Sequence, residues 1–223
     1  MIRDALLGSF ELPSYFDYPA TFIWALSGAL LAARWRLDPT GVAIIALVTA
    51  AGGGLLRDGL FLQAGPPALL RTPVYIILIA VATVIVIAAG PGVLRIPHFD
   101  RLVALIDVVG LGTYAIVGLE LSLALGLSVL AAIFVGTVNA VGGGVLRDVI
   151  LRRTPELLEP GSPITAVAII GCVAYAALTL LTGLPEGLAG LLAILLVLAI
   201  RMVAIRLGIR TSPVRGFPPP DDE

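Results

Sequence analysis

Two seven-residue segments carry the chemistry that an apolar chain tolerates least. Gly52-Gly53-Gly54-Leu55-Leu56-Arg57-Asp58 recurs 90 residues later as Gly142-Gly143-Gly144-Val145-Leu146-Arg147-Asp148. Three successive glycines weaken a helix by roughly 0.8–1.0 kcal/mol each relative to alanine. Inside a membrane such a weakness survives only where protein, ordered water or a polar ligand satisfies the loosened backbone. Freed carbonyls can coordinate a cation, and the amides of the next half-helix can face an anion. The motif therefore predicts two interruptions or hinges on a path for ions or polar solutes. A close helix crossing is the plainer alternative.

Each glycine triplet is followed, three residues on, by an Arg-Asp step. Neighbouring helical side chains point about 100° apart, so each Arg is expected to be poorly placed to pair with its own Asp. Crossing of antiparallel helices at the glycines would set the two steps about 12 Å apart on opposite sides of the midplane, at 1.5 Å rise per residue. This predicts one charged step per vestibule, Arg57-Asp58 in one and Arg147-Asp148 in the other. Snorkelling of each step to its nearer interface is the alternative.

Further polar residues share these segments. Thr49, Thr137 and Asn139 precede the glycines, and Thr49 and Asn139 occupy equivalent places in the repeat. They are candidate oxygen ligands on the path, with backbone back-bonding or interhelical hydrogen bonding as the alternative. Asp107, its repeat mate Asp17, and Glu120 are candidate conduction-lining or gating carboxylates, or members of buried salt bridges.

The rest of the chain excludes other chemistry. Cys172 is the single cysteine and His98 the single histidine, so neither an internal disulfide nor a clustered thiolate metal site can form. No nucleophile–base pair, nucleotide-binding loop or ligand cluster suggests an enzyme, and a net charge of -1 gives no nucleic-acid signal.

The elements that must position these groups are read from hydropathy. With 59% hydrophobic and 13% charged residues and a mean hydropathy of +1.06, the chain reads as an integral membrane protein. Apolar runs predict seven spans at roughly 16–34, 41–62, 72–90, 102–124, 127–150, 163–182 and 186–206. Turn-forming Pro and Gly punctuate the joints, as at Asp38-Pro39, Gly65-Pro66-Pro67 and Gly183-Leu184-Pro185. The N-terminal stretch lacks an apolar core followed by a small-residue cleavage site, so the first span is expected to serve as the targeting signal.

The 90-residue offset aligns more than the glycines. Asp17 meets Asp107, Gly28 meets Gly118, Ala50 meets Ala140 and Pro73 meets Pro163, without a gap over about 60 residues. Each copy holds three spans, an odd number, so the copies enter the membrane from opposite sides. The expected architecture is all-α: two inverted three-helix repeats, 16–90 and 102–182, plus a seventh helix, 186–206. Small residues spaced by four, Ala46, Ala50 and Gly54 against Gly136, Ala140 and Gly144, let backbones approach closely.

All fourteen basic residues are arginine. Their bias predicts a cytoplasmic tail at 207–223 and an extracytoplasmic segment at 1–15. Arg201, Arg206 and Arg210 are candidate headgroup anchors at about 1 kcal/mol each. The proline-acidic end, Pro218 to Glu223, reads as disordered.

Seven spans, inverted repeats and the twin GGGxLRD resemble the trimeric intracellular cation (TRIC) channel family in its prokaryotic branch, a sequence group also described as glycine-transporter-like. The resemblance covers nearly the whole chain. It implies a homotrimer with a potassium-permeable pore in each subunit, between spans two and five at Gly52 to Gly54 and Gly142 to Gly144. It also implies lipid contact. Animal relatives bind a phosphoinositide at a lysine-bearing version of the span-two motif, whereas this chain has Arg57 there and no lysine, so a bacterial phospholipid is the expected lipid. The leading expectation is a monovalent cation channel with no resident cofactor in the inner or plasma membrane. A secondary transporter of a small amino acid such as glycine is the alternative, and a scaffold whose glycines serve packing alone is a third.

Overall fold

Seven helices of 17 residues or more make up the described part of the molecule, a computed structural model that describes residues 12–90, 92, 99–159, 161 and 163–209. They are α1 (Leu12–Arg34), α2 (Pro39–Leu56), α3 (Pro73–Ala89), α4 (Phe99–Ala124), α5 (Val129–Ile150), α6 (Ile164–Thr182) and α7 (Glu186–Leu207). A π-helical segment, Arg57–Leu62, prolongs α2, and a one-turn helix, Ala68–Arg71, precedes α3. The protein is an all-α multi-pass membrane protein. Five helical stretches are long and apolar enough to cross a bilayer, and α3 is a shorter apolar helix. His98, Arg210, most of the N-terminal segment and the tail beyond residue 209 lie outside the described residues.

The two copies of the repeat fold alike down to their turns. Asp38 caps α2 by accepting from the Gly41 amide at 2.7 Å, and its repeat mate Ser128 caps α5 by accepting from the Ala131 amide at 3.4 Å. The turn before each cap needs one left-handed residue. Gly126 supplies it at φ 81° in one copy and Arg36 at φ 56° in the other.

Packing runs through small residues, as expected for helices without a hydrophobic drive between them. In the α1–α2 contact a Cβ on Gly28 would meet Thr49 Oγ1 at 2.5 Å. In the equivalent α4–α5 contact a Cβ on Gly118 would meet Asn139 Cβ at 2.8 Å. Large apolar side chains such as Leu130, Leu181 and Val84 are exposed on the outer faces, the arrangement expected for a surface solvated by lipid.

The glycine triplets correct the expected interruption. Both α2 and α5 remain α-helical through them. Their role is contact: a Cβ on Gly53 would overlap the Asn139 carbonyl, and one on Gly143 would overlap the Thr49 carbonyl. Gly52 and Gly142 complete the crossing, each with its would-be Cβ closer than an ordinary contact (3.1 and 3.2 Å) to the Cα of Gly143 and Gly53. The backbone irregularity lies one turn later, where the Gln63 amide bonds to Asp58 O at 2.9 Å, an i to i+5 step that widens the helix.

Candidate functional site

The crossing of α2 and α5 separates two cavities built from repeat mates. The larger, of about 270 Å³, is lined by Trp24, Asp107, Gly144, Arg147 and Asp148 among others. The smaller, of about 20 Å³, is lined by the corresponding Tyr114, Asp17, Gly54, Arg57 and Asp58. One charged step therefore sits at each cavity.

Both steps are closed ion pairs, which corrects the expectation that each Arg would miss its own Asp. Arg57 Nε donates to Asp58 Oδ1 at 2.6 Å and Nη2 to Oδ2 at 3.1 Å. Arg147 Nε donates to Asp148 Oδ1 at 3.0 Å. The 100° offset of the Cβ vectors is bridged by the length of the arginine side chain, which can fold back along the helix. Burial supplies the reason, since Arg57 is 2% and Arg147 7% exposed and an unpaired charge there would be costly. Snorkelling is thereby excluded as well.

Each Asp also closes the loop that follows its helix. Asp58 Oδ2 accepts from the Ala68 amide at 2.8 Å, and Asp148 Oδ2 from the Glu156 amide at 3.2 Å. The acid thus accepts from an arginine and a backbone donor at once, the use that a buried carboxylate needs.

Beyond this shared frame the cavities differ. Asp17 accepts from the Tyr75 hydroxyl at 2.5 Å, and that ring fills part of the smaller cavity. Asp107 accepts from Ser27 Oγ at 2.6 Å and approaches Arg147 Nη1 at 4.0 Å. The repeat mate of Tyr75 is Thr165, too short to reach across. Arg153 and Arg201 join the larger cavity, Arg153 at 3.6 Å from Asp148 and Arg201 at 3.3 Å from Glu156. Arg201 is therefore an internal ion-pair partner, which corrects its placement among headgroup anchors; Arg206 is exposed at the end of α7.

The remaining sequence candidates divide. Thr49 lines the larger cavity, but its hydroxyl bonds back to Ile45 O at 2.6 Å. Thr137 bonds back to Ile133 O at 2.8 Å, and Asn139 Nδ2 donates to Tyr114 O at 2.7 Å; neither lines either of the two cavities. Glu120 lies apart from both charged steps, hydrogen-bonded to Tyr175 and beside Gly190. Cys172 is buried, with its thiol 3.6 Å from Ala115 O.

Comparison with known proteins fixes the family. The glycine transporter family matches residues 14–91 and 104–200, most of the chain. The chain belongs to that family. The inner membrane protein YadS of Escherichia coli (UPF0126) is 32% identical over 192 residues, covering 86% of this chain and 91% of its own length. A UPF0126 membrane protein of Deinococcus radiodurans is 34% identical over 170 residues, covering 75% of this chain and 77% of its own. Among solved structures, a TRIC cation channel superposes with a TM-score of 0.81 at 28% identity, over 92% of this chain and 98% of that one. The trimeric intracellular cation channel orthologue from Rhodobacter sphaeroides gives 0.80 at 28% identity, over 88% and 98%. This glycine-transporter family member thus has the fold of the TRIC cation channels.

Residues that the sequence reading passed over complete the site. Trp24, Tyr114, Tyr75, Ser27, Arg153 and Glu156 all line or brace the cavities. For two of them a signal was present, since the aromatic residues Trp24 and Tyr114 are 90 residues apart and so occupy equivalent places in the repeat.

Proposed function

We propose that the protein is a monovalent cation channel that passes potassium, with a path in each subunit running from one cavity to the other beside the α2–α5 crossing. The observation that carries this reading is the pair of repeat-related cavities, each holding carboxylates and an arginine, in a chain 28% identical to TRIC cation channels of the same fold. The glycine backbones are in contact, so the path runs past the crossing rather than through it. The arginines are neutralised by Asp58 and Asp148, leaving Asp17 and Asp107 as the carboxylates that offset the cost of a cation at each side.

The arginine-rich larger cavity faces the cytoplasm by the positive-inside rule, with Arg34, Arg153 and Arg201 on that side. The protein is a homotrimer of the inner membrane on this reading, as its relatives' descriptions have it. Bound phospholipid contacts the outer apolar faces, and Arg206 is the remaining described headgroup anchor.

A carrier is the second reading, favoured by one observation: one cavity is large while its repeat mate is small, an inequality that suits alternating access. Proteoliposomes separate the two. A channel gives non-saturating rubidium uptake down its gradient and no glycine counterflow. Saturable glycine counterflow without rubidium uptake would establish the carrier and sink the channel.

A further inference from the structure

What stands between the cavities is an aromatic pair. Trp24 of α1 lines the larger cavity and Tyr114 of α4 the smaller, and their rings lie against each other with centroids 4.7 Å apart and planes at 41°. They are repeat mates, so the pair straddles the pseudo-two-fold axis itself. Both are buried, and ring packs on ring beside the glycine crossing.

The two rings are held very differently. The Tyr114 hydroxyl donates to Ala50 O at 2.9 Å and lies within hydrogen-bond distance of Thr21 Oγ1 at 2.9 Å, while Tyr114 O accepts from the Asn139 amide at 2.7 Å. Two bonds fix the ring to α1 and α2, and the third ties its backbone to α5. Trp24 Nε1, by contrast, is buried and meets no acceptor among the described residues. Its ring rests on two glycines, with Nε1 over Gly110 and Cζ3 where a Cβ on Gly143 would meet it at 3.2 Å. A buried indole without a hydrogen bond gives up nothing polar by rotating, and a cavity of about 270 Å³ lies on its own side to receive it.

We infer that Trp24 is the movable half of an aromatic septum between the two cavities, closing the path against the fixed Tyr114 ring and opening it by swinging into the larger cavity. The inference rests on the reading that a solute passes from cavity to cavity, whether by channel or carrier. Gly110 and Gly143 then have a second role, as the smooth wall along which the indole slides.

The test uses the whole protein in oriented membrane vesicles. Cys172 is replaced by serine and Ala51→Cys places a thiol in the smaller cavity. A membrane-impermeant thiol reagent is added from the larger-cavity side. Trp24→Ala is expected to raise the labelling rate by about tenfold, the scale of removing one aromatic contact, with labelling from the opposite side unchanged. Should Trp24→Ala fail to fold, Trp24→Phe and Tyr114→Phe are read in the same way, each with a smaller acceleration. Labelling unchanged in folded variants would overturn the septum. Rubidium flux is measured in parallel, so that faster labelling without any rubidium flux keeps the septum and removes the channel.

Discussion

The two cavities share a frame and differ in volume by more than tenfold, about 270 against 20 Å³. Asp17 and Asp107, Gly54 and Gly144, Arg57 and Arg147, and Asp58 and Asp148 occupy corresponding places, so the frame is not what makes one large and the other small. The difference lies in what each repeat hangs on it. Tyr75 reaches Asp17, whereas the equivalent Thr165 cannot reach Asp107. The first loop returns its amide to Asp58 ten residues on, after a π-helical turn, and the second returns to Asp148 after eight. Asymmetry of mouth thus comes from a phenol and a loop, on a scaffold that duplication made symmetric.

The largest expected effect lies at the ion pairs. Asp58→Asn and Asp148→Asn each leave a buried arginine, at about 3–5 kcal/mol of stability. Asp148 also faces Arg153 at 3.6 Å, so its loss should be the greater of the two in detergent unfolding; equal losses would break the asymmetry argued above. The glycines come next. Gly53→Ala and Gly143→Ala force backbones apart and should cost about 3 kcal/mol. Gly54→Ala and Gly144→Ala meet nothing closer than an arginine nitrogen at 3.9 Å and should stabilise by about 0.5–1 kcal/mol through helix propensity. Tyr75→Thr copies the lining of the larger cavity into the smaller one. It should admit an impermeant reagent to Ala51→Cys from the smaller-cavity side, which a closed result would refute. The most local is Ser27→Ala, which removes one hydrogen bond to Asp107 and should cost about 0.5 kcal/mol while leaving the Asp17 side unchanged.

Much of this was legible from residue spacing. Hydropathy predicted seven spans, and seven long helices form, five of the described stretches long and apolar enough to cross a membrane; the 90-residue offset predicted a crossing at the glycines with one Arg-Asp step to each side. The chemistry of those residues was harder to read. Glycine's low helix propensity suggested a break, but the close approach of Gly53 to the Asn139 carbonyl shows that contact, not looseness, requires it. Angular reasoning at Cβ parted Arg57 from Asp58 because it neglected a side chain long enough to fold back. The bonds of Asp17 to Tyr75 and Asp107 to Ser27 join residues 58 and 80 positions apart, and no local pattern encodes such meetings. Arg201 looked like a membrane anchor by its place near a helix end, yet the loop carrying Glu156 folds back to claim it.

Planar bilayers holding the purified protein under a potassium chloride gradient test the central claim most directly. Discrete unitary currents reversing near the potassium equilibrium potential are the predicted result. Silent bilayers, with the same preparation catalysing saturable glycine uptake coupled to protons or sodium, would contradict it.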